Sequence, residues 1–194
     1  MKNYKMDYEG NHIVAYNKLI FETFPRVLFD SDYLKSNSLL ISGDKILHGR
    51  GNIYGFEYNG HLLVLRHYHR GGMMAKIIDD EYLWTGLDSS RPIRELTMLD
   101  EMQDLGLPVP IPVAARISRS GISYRADIIT KLIPNTKALS SCLEEEALSE
   151  STWYQIGRTI KKFHEHNCNH ADLNAHNILL NENNEIFLID LSAR

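Results

Sequence analysis

The stretch from Lys161 to Leu180, KKFHEHNCNHADLNAHNILL, constrains the fold most, because it joins a helical pattern to a hairpin pattern. Upstream, apolar residues at helical spacing predict a helix from about Ser151 to His166, with Thr152 and Gln155 as a capping box. Its apolar stripe consists of Trp153, Ile156, Ile160 and Phe163. Downstream, NILLN and IFLID predict a hairpin across ENNE. The histidines and the cysteine of the stretch leave three interpretations open: a metal site, a cysteine nucleophile or a catalytic loop.

The first two interpretations have little support from the spacing. His164 and His166 fall at the end of the predicted helix, where residues two apart point in different directions. Structural zinc sites favour other spacings and more cysteine. Cys168 has no known nucleophile signature around it. We interpret the two histidines as helix-end residues favoured by the helix dipole, and Cys168 as a small apolar residue.

The remaining residues match H-x-D-L-x-x-x-N, the catalytic-loop pattern of protein-kinase-like enzymes; they are His170, Asp172 and Asn177. Phosphoryl transfer needs a carboxylate that accepts the proton of a substrate hydroxyl. It also needs an amide oxygen and a second carboxylate that hold Mg²⁺ against the phosphates. IFLID ends on Asp190, and the hairpin would return this carboxylate to the loop. The pattern therefore favours phosphoryl transfer.

The N-terminal half is predicted to be rich in β-strands with one helix. Asn59-Gly60 supplies the positive-φ pair of a type I′ turn between YGFEY and the buried-strand pattern LLVLR. A helix follows, capped by Ser89 or Ser90 and ended by Gly106. A second hairpin turns at Ser120-Gly121. This order of elements predicts an α+β chain.

The same half contains candidates for a nucleotide site of the kinase-like kind. HGRGNIYG supplies a glycine-bearing turn over the phosphates, with Gly49, Gly51 and Gly55. Arg66 ends LLVLR where a lysine is usual, and Glu95 lies on the following helix within reach of it. Because arginine is planar and bulkier than lysine, its phosphate contact would differ, and Lys76 is an alternative phosphate cation.

Composition excludes several other classes. The net charge of −4 argues against a nucleic-acid binder that works by overall charge. Two cysteines provide no disulfide framework and fit a reducing cytoplasm. The N-terminus lacks an apolar signal core, and no apolar run approaches the roughly 18 residues of a membrane span. We therefore expect a soluble or peripheral protein without a nucleic-acid partner.

The segment between Tyr58 and Ile78 has no acidic side chain, and its basic residues would attract phosphates and carboxylates. Arg70 precedes two glycines, which offer open backbone to an anion beside the guanidinium. The apolar side chains from Met73 to Ile78 would suit a bilayer surface beside this basic rim. We favour the simpler expectation that they pack under the first helix.

Four segments resemble a known family across most of the chain: LRHYHRGGMMAKI, ELTMLDEMQDLGLPVPIPVAARI, YRADIITKLI and HADLNAHNILL. They are similar to the 3-deoxy-D-manno-octulosonic acid (Kdo) kinases, the lipopolysaccharide kinase family of the protein-kinase-like superfamily. The resemblance implies a phosphotransferase that uses ATP and Mg²⁺ to phosphorylate the 4-hydroxyl of Kdo on Kdo-lipid IVA, in lipopolysaccharide inner-core biosynthesis. It also implies peripheral contact with the cytoplasmic face of the bacterial inner membrane.

By the same resemblance, Asp172 is the catalytic base, Asn177 and Asp190 are metal ligands, and His170 braces the loop. The implied fold is α+β and bilobal, with a β-rich N-lobe carrying one helix and a truncated helical C-lobe. We expect a nucleotide-binding lobe over residues 1–133, a hinge or linker over 134–150 and a partial C-lobe over 151–194.

Departures from the kinase pattern leave alternatives open. Ala171 replaces an arginine, which suggests that no phosphorylated activation loop acts as a switch. The chain ends four residues after Asp190, and the helical stripe would have few partners to bury it. We therefore expect a fragment or a truncated gene product. The alternatives are an inactive nucleotide-binding module and a phosphotransferase of the aminoglycoside or choline kinase type.

Overall fold

The computed structural model of the protein describes residues 2–41, 53–68 and 81–191. Its main sheet is built from antiparallel hairpins. The strands are β1 (Tyr4–Glu9), β2 (His12–Asn17), β3 (Ile53–Tyr58), β4 (His61–His67), β5 (Tyr82–Leu83), β6 (Pro112–Ser120) and β7 (Ser123–Lys131). Asn59 and Gly60, with φ of 50° and 76°, connect β3 to β4 and confirm the predicted turn. The second predicted hairpin is also confirmed, although its turn is at Gly121-Ile122, because Ser120 pairs with Ser123. The β1–β2 hairpin, which turns at Gly10 (φ 55°), was not predicted.

The order of strands in this sheet is β1-β2-β6-β7-β4-β3, with β5 paired to β7. The register sets Arg66 of β4 opposite Ile128 of β7, and His67 opposite Asp127. Because directly opposed residues share a face of the sheet, this register decides which distant side chains meet.

The helices of the described residues are α1 (Ser31–Ser36), α2 (Arg91–Asp104), α3 (Leu139–Glu145) and α4 (Glu150–Glu165). A second antiparallel sheet has the order β10-β9-β8 and contains β8 (Thr136–Ala138), β9 (Ile178–Asn181) and β10 (Ile186–Leu188). The predicted helices α2 and α4 and the third hairpin, β9–β10, are confirmed. Residues 134–150 contain a strand and a helix. The α+β fold class is confirmed.

The predicted capping box of α4 is wrong, and the predicted cap of α2 is confirmed in position only. The hydroxyl of Ser149 caps α4 and accepts a hydrogen bond from the N–H of Thr152 at 3.2 Å, because the helix begins at Glu150. Thr152 lies inside the first turn. At α2, Ser90 occupies the cap position, but its hydroxyl donates to the Leu87 carbonyl at 2.6 Å and caps no helix N–H.

The main sheet is covered on both faces. The segment over residues 18–41, for which the sequence predicted no element, packs its apolar side chains on one face. That core includes Phe24, Leu28, Phe29 and Leu34 against Leu63, Leu65 and Ile129. Helix α2 covers the other face, where Ile93 and Leu96 pack against Ala115 and Ile117.

A third core joins α2 to the C-terminal elements. Its buried residues include Leu99, Met102, Ile156, Phe163, Ile178 and Leu188. The stripe of α4 was expected to have few partners, which is wrong for Ile156 and Phe163: they are 4% and 2% exposed and pack in a core with residues of α2, β9 and β10. Trp153 is 48% exposed and does not face this core. Since α2 contributes to two cores, it connects the sheet to the C-terminal part.

Candidate active site

Arg66 links the main sheet, α2 and the C-terminal hairpin. It is the sixth residue of β4, on the face that α2 covers. One guanidinium nitrogen, Nη2, pairs with Oε1 of Glu95 on α2. The other, Nη1, lies 2.8 Å from Oδ1 of Asp190. The structure therefore brings Arg66 and Glu95 together as the sequence pattern anticipated, and adds Asp190 to the same network.

Burial controls the electrostatics of this network. Glu95 is 4% exposed, and burial raises the pKa of its carboxyl group, while Arg66 and the Tyr68 hydroxyl partly offset the rise. Burial is the largest single influence on the pKa of Arg66 and lowers it, but Glu95, Tyr68 and Asp190 together raise the net pKa. Arg66 therefore remains a cation that pairs with two carboxylates.

His170 connects the predicted catalytic loop to the residue before Asp190. Its Nε2–H donates to the carbonyl of Ile189 at 2.7 Å, and its Nδ1 accepts the N–H of Asp172 at 3.2 Å. These two bonds assign the tautomer with the proton on Nε2. The imidazole thus holds the backbone at Asp172 and at Ile189 in one arrangement.

Asn177, the residue before β9, makes two further hydrogen bonds to the same backbone segments. Its side-chain Nδ2 donates to the carbonyl of Asp172 at 2.9 Å, and its own carbonyl accepts the N–H of Ile189 at 3.0 Å. Hydrogen bonds from the Asn177 side chain and from the backbone of Ile189 therefore join the positions of Asp172, Asn177 and Asp190. Asp190 has φ of 57°, an uncommon value for a residue other than glycine. Both hydrogen bonds of Ile189 support that conformation.

The oxygen atoms of these side chains fit a magnesium site. Asn177 is 7% exposed and uses its amide nitrogen, so its buried amide oxygen has no partner within the described ranges. The exposed carboxylate of Asp172 likewise has no side-chain partner there. Mg²⁺ prefers oxygen ligands and takes one or two carboxylates beside substrate phosphates and water. Across the described residues no group of three or more His, Cys, Asp or Glu side chains suits a metal, so the amide oxygen of Asn177 would be needed.

A second charged cluster lies on the opposite face of the sheet. Asp127 is 5% exposed; it pairs with Nδ1 of His67 and accepts from Nε of Arg116 at 2.6 Å. Arg116 also donates to the Phe29 carbonyl at 3.1 Å. The cluster ties three neighbouring strands to the covering segment. Sequence reasoning missed it, because its members come from separate strands.

Tyr68, the residue after β4, was also missed. Its hydroxyl donates to Oε2 of Glu95 at 2.6 Å, and the Cζ atom of Arg66 lies 4.9 Å from the centre of its ring. The sequence could have indicated this contact, because Tyr68 lies two residues after Arg66 and alternate residues of an extended segment share a face.

Several predicted residues cannot be placed. Gly49, Gly51, Arg70 and Lys76 lie outside the described residues, as do the apolar side chains from Met73 to Ile78. Gly55 is described and lies within β3, so it does not belong to a turn.

The cysteine of the histidine-rich stretch fits its apolar interpretation. Cys168 packs partly buried against the C-terminal core, and burial raises the pKa of its thiol, which disfavours the nucleophilic thiolate. No helix in the described parts of the chain combines the length and apolar character that crossing a membrane requires.

Comparison with known proteins agrees with this geometry. Residues 46–193 match the model of the family described as "Lipopolysaccharide kinase (Kdo/WaaP) family". The 3-deoxy-D-manno-octulosonic acid kinase of Vibrio parahaemolyticus is 34% identical, over 94% of this chain and 75% of that protein. The enzyme of the same name from Photobacterium profundum is 35% identical, over 93% of this chain and 75% of the relative. That of Haemophilus influenzae is 40% identical, over 79% of this chain and 65% of the relative.

The family match covers most of the chain and includes both the loop with His170 and the strand that carries Arg66. Both of the first two relatives align over more than nine-tenths of the chain. The chain therefore belongs to the lipopolysaccharide kinase (Kdo/WaaP) family of ATP-dependent phosphotransferases, which have a protein-kinase-like fold.

Proposed function

We propose that the chain transfers the γ-phosphate of ATP to the 4-hydroxyl of Kdo on Kdo-lipid IVA, a step of lipopolysaccharide inner-core biosynthesis. The observation that carries this proposal is the unit built by His170, which joins the backbone at Asp172 to that of Ile189 and so to Asp190. The names of the relatives support Kdo as the sugar. The ring position and the lipid acceptor follow from the family resemblance.

In this proposal Asp172 is the catalytic base. Its carboxylate is exposed, and among the described residues no cation pairs with it, so it is available to an acceptor hydroxyl. It would accept the proton of that hydroxyl as the oxygen attacks the γ-phosphate. His170 acts through the backbone of Asp172 and positions this carboxylate.

Asn177 and Asp190 would hold Mg²⁺, which when bound supplies positive charge against the triphosphate. Asn177 would use its unpaired amide oxygen, and Asp190 the side chain that Arg66 now neutralises. Glu95 keeps Arg66 charged and oriented, so that one arm of the guanidinium can turn from Asp190 to a phosphate oxygen. Gly49 and Gly51 are proposed to cover the phosphates through their backbone N–H groups.

The division of the chain follows from these roles. Residues 1–133 are proposed to bind the nucleotide, residues 134–150 to connect the two parts, and residues 151–194 to supply the loop and the metal ligands. Because the acceptor is a lipid, we propose peripheral contact with the cytoplasmic face of the inner membrane.

One transfer assay tests the proposal. The chain is incubated with Mg-ATP and either Kdo-lipid IVA or soluble amino alcohols, and transfer of phosphate is followed. Transfer to the lipid alone is expected, and phosphorus NMR of the product should place the phosphate on the 4-oxygen. Transfer to amino alcohols would favour the aminoglycoside or choline kinase type. ATP binding without transfer would favour an inactive module.

The variant Asp172→Asn tests the base. It should abolish transfer and leave Mg-ATP affinity unchanged, because the amide keeps the shape but accepts no proton. Asp88→Asn is the matched control, since Asp88 is also an exposed aspartate in a loop but lies before α2. Full turnover by Asp172→Asn would show that the assigned base is wrong.

A further inference from the structure

We propose that Tyr68 is a positioning residue for nucleotide binding: its ring supports the face of Arg66, and its hydroxyl holds the second oxygen of Glu95. The inference rests on the proposed function only in that Arg66 contacts the nucleotide. It adds to the usual cation–glutamate pair a third member that makes the pair rigid.

The backbone places Tyr68 for this task. Its N–H donates to the carbonyl of Ala126 at 3.0 Å and so continues the ladder between β4 and β7 beyond the last residue of β4. Arg66 and Tyr68 are two residues apart on this extended segment, and both side chains project towards α2. The orientation of Tyr68 is therefore set by the sheet.

The hydroxyl completes the hydrogen bonding of a buried carboxylate. Oε1 of Glu95 pairs with Arg66, and Oε2 accepts from Tyr68 at 2.6 Å. Burial and then the charge of Glu95 raise the pKa of the Tyr68 hydroxyl well above its ordinary value, so the group stays protonated and donates. Without it, one carboxylate oxygen would be buried and unpaired, which strongly disfavours the present position of Glu95.

The ring explains why arginine suits this strand. The Cζ atom of Arg66 lies 4.9 Å from the ring centre, within the range of a cation–π contact. A planar guanidinium stacks on an aromatic face and still reaches Glu95 with one arm and Asp190 with the other. A lysine ammonium offers no plane to stack and no fork. Tyr68 and Arg66 therefore act as a unit.

A purely structural role for Tyr68 predicts a different result. The side chain also packs partly buried against the cores on both sides of α2, so its loss lowers stability in either case. Only a positioning role weakens nucleotide binding selectively. It also predicts a graded series, because Tyr68→Phe keeps the ring and loses the hydroxyl, whereas Tyr68→Leu loses both.

The test is the affinity for Mg-ATP, measured by displacement of a fluorescent ATP analogue, which needs no acceptor. Tyr68→Phe should bind about tenfold more weakly, and Tyr68→Leu more weakly still. The matched control is Tyr124→Phe: Tyr124 lies in the same sheet and is 3% exposed, and its hydroxyl accepts the N–H of Arg91 at the start of α2, 3.0 Å away. The control should bind Mg-ATP as the wild type does.

Coupling with Arg66→Lys separates positioning from packing. Since lysine has no planar guanidinium to stack on the ring, Tyr68→Leu, which removes the ring, should cost less affinity in the Arg66→Lys background than in the wild type. In turnover, Tyr68→Phe should raise KM for ATP and leave KM for the acceptor unchanged.

Three results would overturn the inference: Tyr68→Phe binding within twofold of the wild type, additive effects of Tyr68→Leu and Arg66→Lys, or an equal loss in Tyr124→Phe. Should Tyr68→Phe fail to fold, Tyr68→His, which keeps a ring and a donor, must bind Mg-ATP more tightly than Tyr68→Leu. A wild-type chain that binds Mg-ATP without phosphorylating Kdo-lipid IVA would overturn the proposed function alone. A wild-type chain that binds no Mg-ATP would overturn both.

Discussion

Replacing His170 by alanine removes the two hydrogen bonds that join Asp172 to the backbone before Asp190. The bond to the Ile189 carbonyl is short at 2.7 Å, and that from the Asp172 N–H is longer at 3.2 Å. We assign about 1 kcal/mol to the first and about 0.5 kcal/mol to the second. A total of about 1.5 kcal/mol corresponds to about a tenfold fall in kcat, because the loop would occupy its working position about tenfold less often.

The assay for this prediction separates kcat from KM. His170 does not reach the nucleotide in the proposed mechanism, so His170→Ala should lower kcat about tenfold and leave KM for ATP within about twofold. His164→Ala is the matched control, because His164 is an exposed histidine on α4, six residues earlier in the chain. It should leave kcat unchanged.

Two outcomes would refute the reasoning about His170. A kcat equal to that of the wild type would show that the loop holds its geometry without the imidazole. A rise in KM for ATP with unchanged kcat would show that the imidazole supports nucleotide binding and does not position the base.

Two further substitutions test the fold. Asp127→Asn should lower the free energy of unfolding by about 3 kcal/mol, since it leaves the partly buried His67 and Arg116 without their carboxylate. A urea midpoint unchanged from the wild type would contradict this. Asp32→Asn, at an exposed ion pair, serves as the control. Phe163→Ala should cost about 3–5 kcal/mol, because the ring is 2% exposed in the C-terminal core. Tyr154→Ala, at a site 66% exposed on the same helix, should have little effect, and equal melting temperatures for these two variants would show that the core does not depend on α4.

The loop from His170 to Asn177 could be predicted because its residue pattern is local. Asp172 and Asn177 are five residues apart, and the hydrogen bond between them needs only one short turn of chain. The hairpin turn at Asn59 was predictable for the same reason, since its backbone conformation depends on two adjacent residues. Each of these features depends only on residues that are close together in the sequence.

The caps and the helical stripe were less predictable. Ser149, Thr152 and the residues between them offer several hydroxyl groups within one turn, and the sequence does not say which one precedes the first helical residue. Trp153 was placed in the stripe because it is large and apolar. Instead Thr152 is buried, at 5% exposed, and its hydroxyl lies 3.5 Å from the side-chain oxygen of Asn184 between β9 and β10.

Contacts between distant residues were decided by strand order. Arg66 and Asp190 are far apart in the chain, and their ion pair depends on how the C-terminal hairpin docks beneath the sheet. Asp127 meets His67 and Arg116 only because β7 lies between β4 and β6. Local periodicity indicates that a strand exists but carries no information about its neighbours.

By itself, the sequence indicated the two long helices, three of the hairpins and the residues proposed for phosphoryl transfer, because hydrophobic period, turn residues and loop spacing act over a few residues. The tertiary structure alone decided that Arg66 divides its two arms between Glu95 and Asp190 and that Tyr68 supports both Arg66 and Glu95. The physical reason is that burial and ion pairing depend on which surfaces the packed sheets and helices bring together.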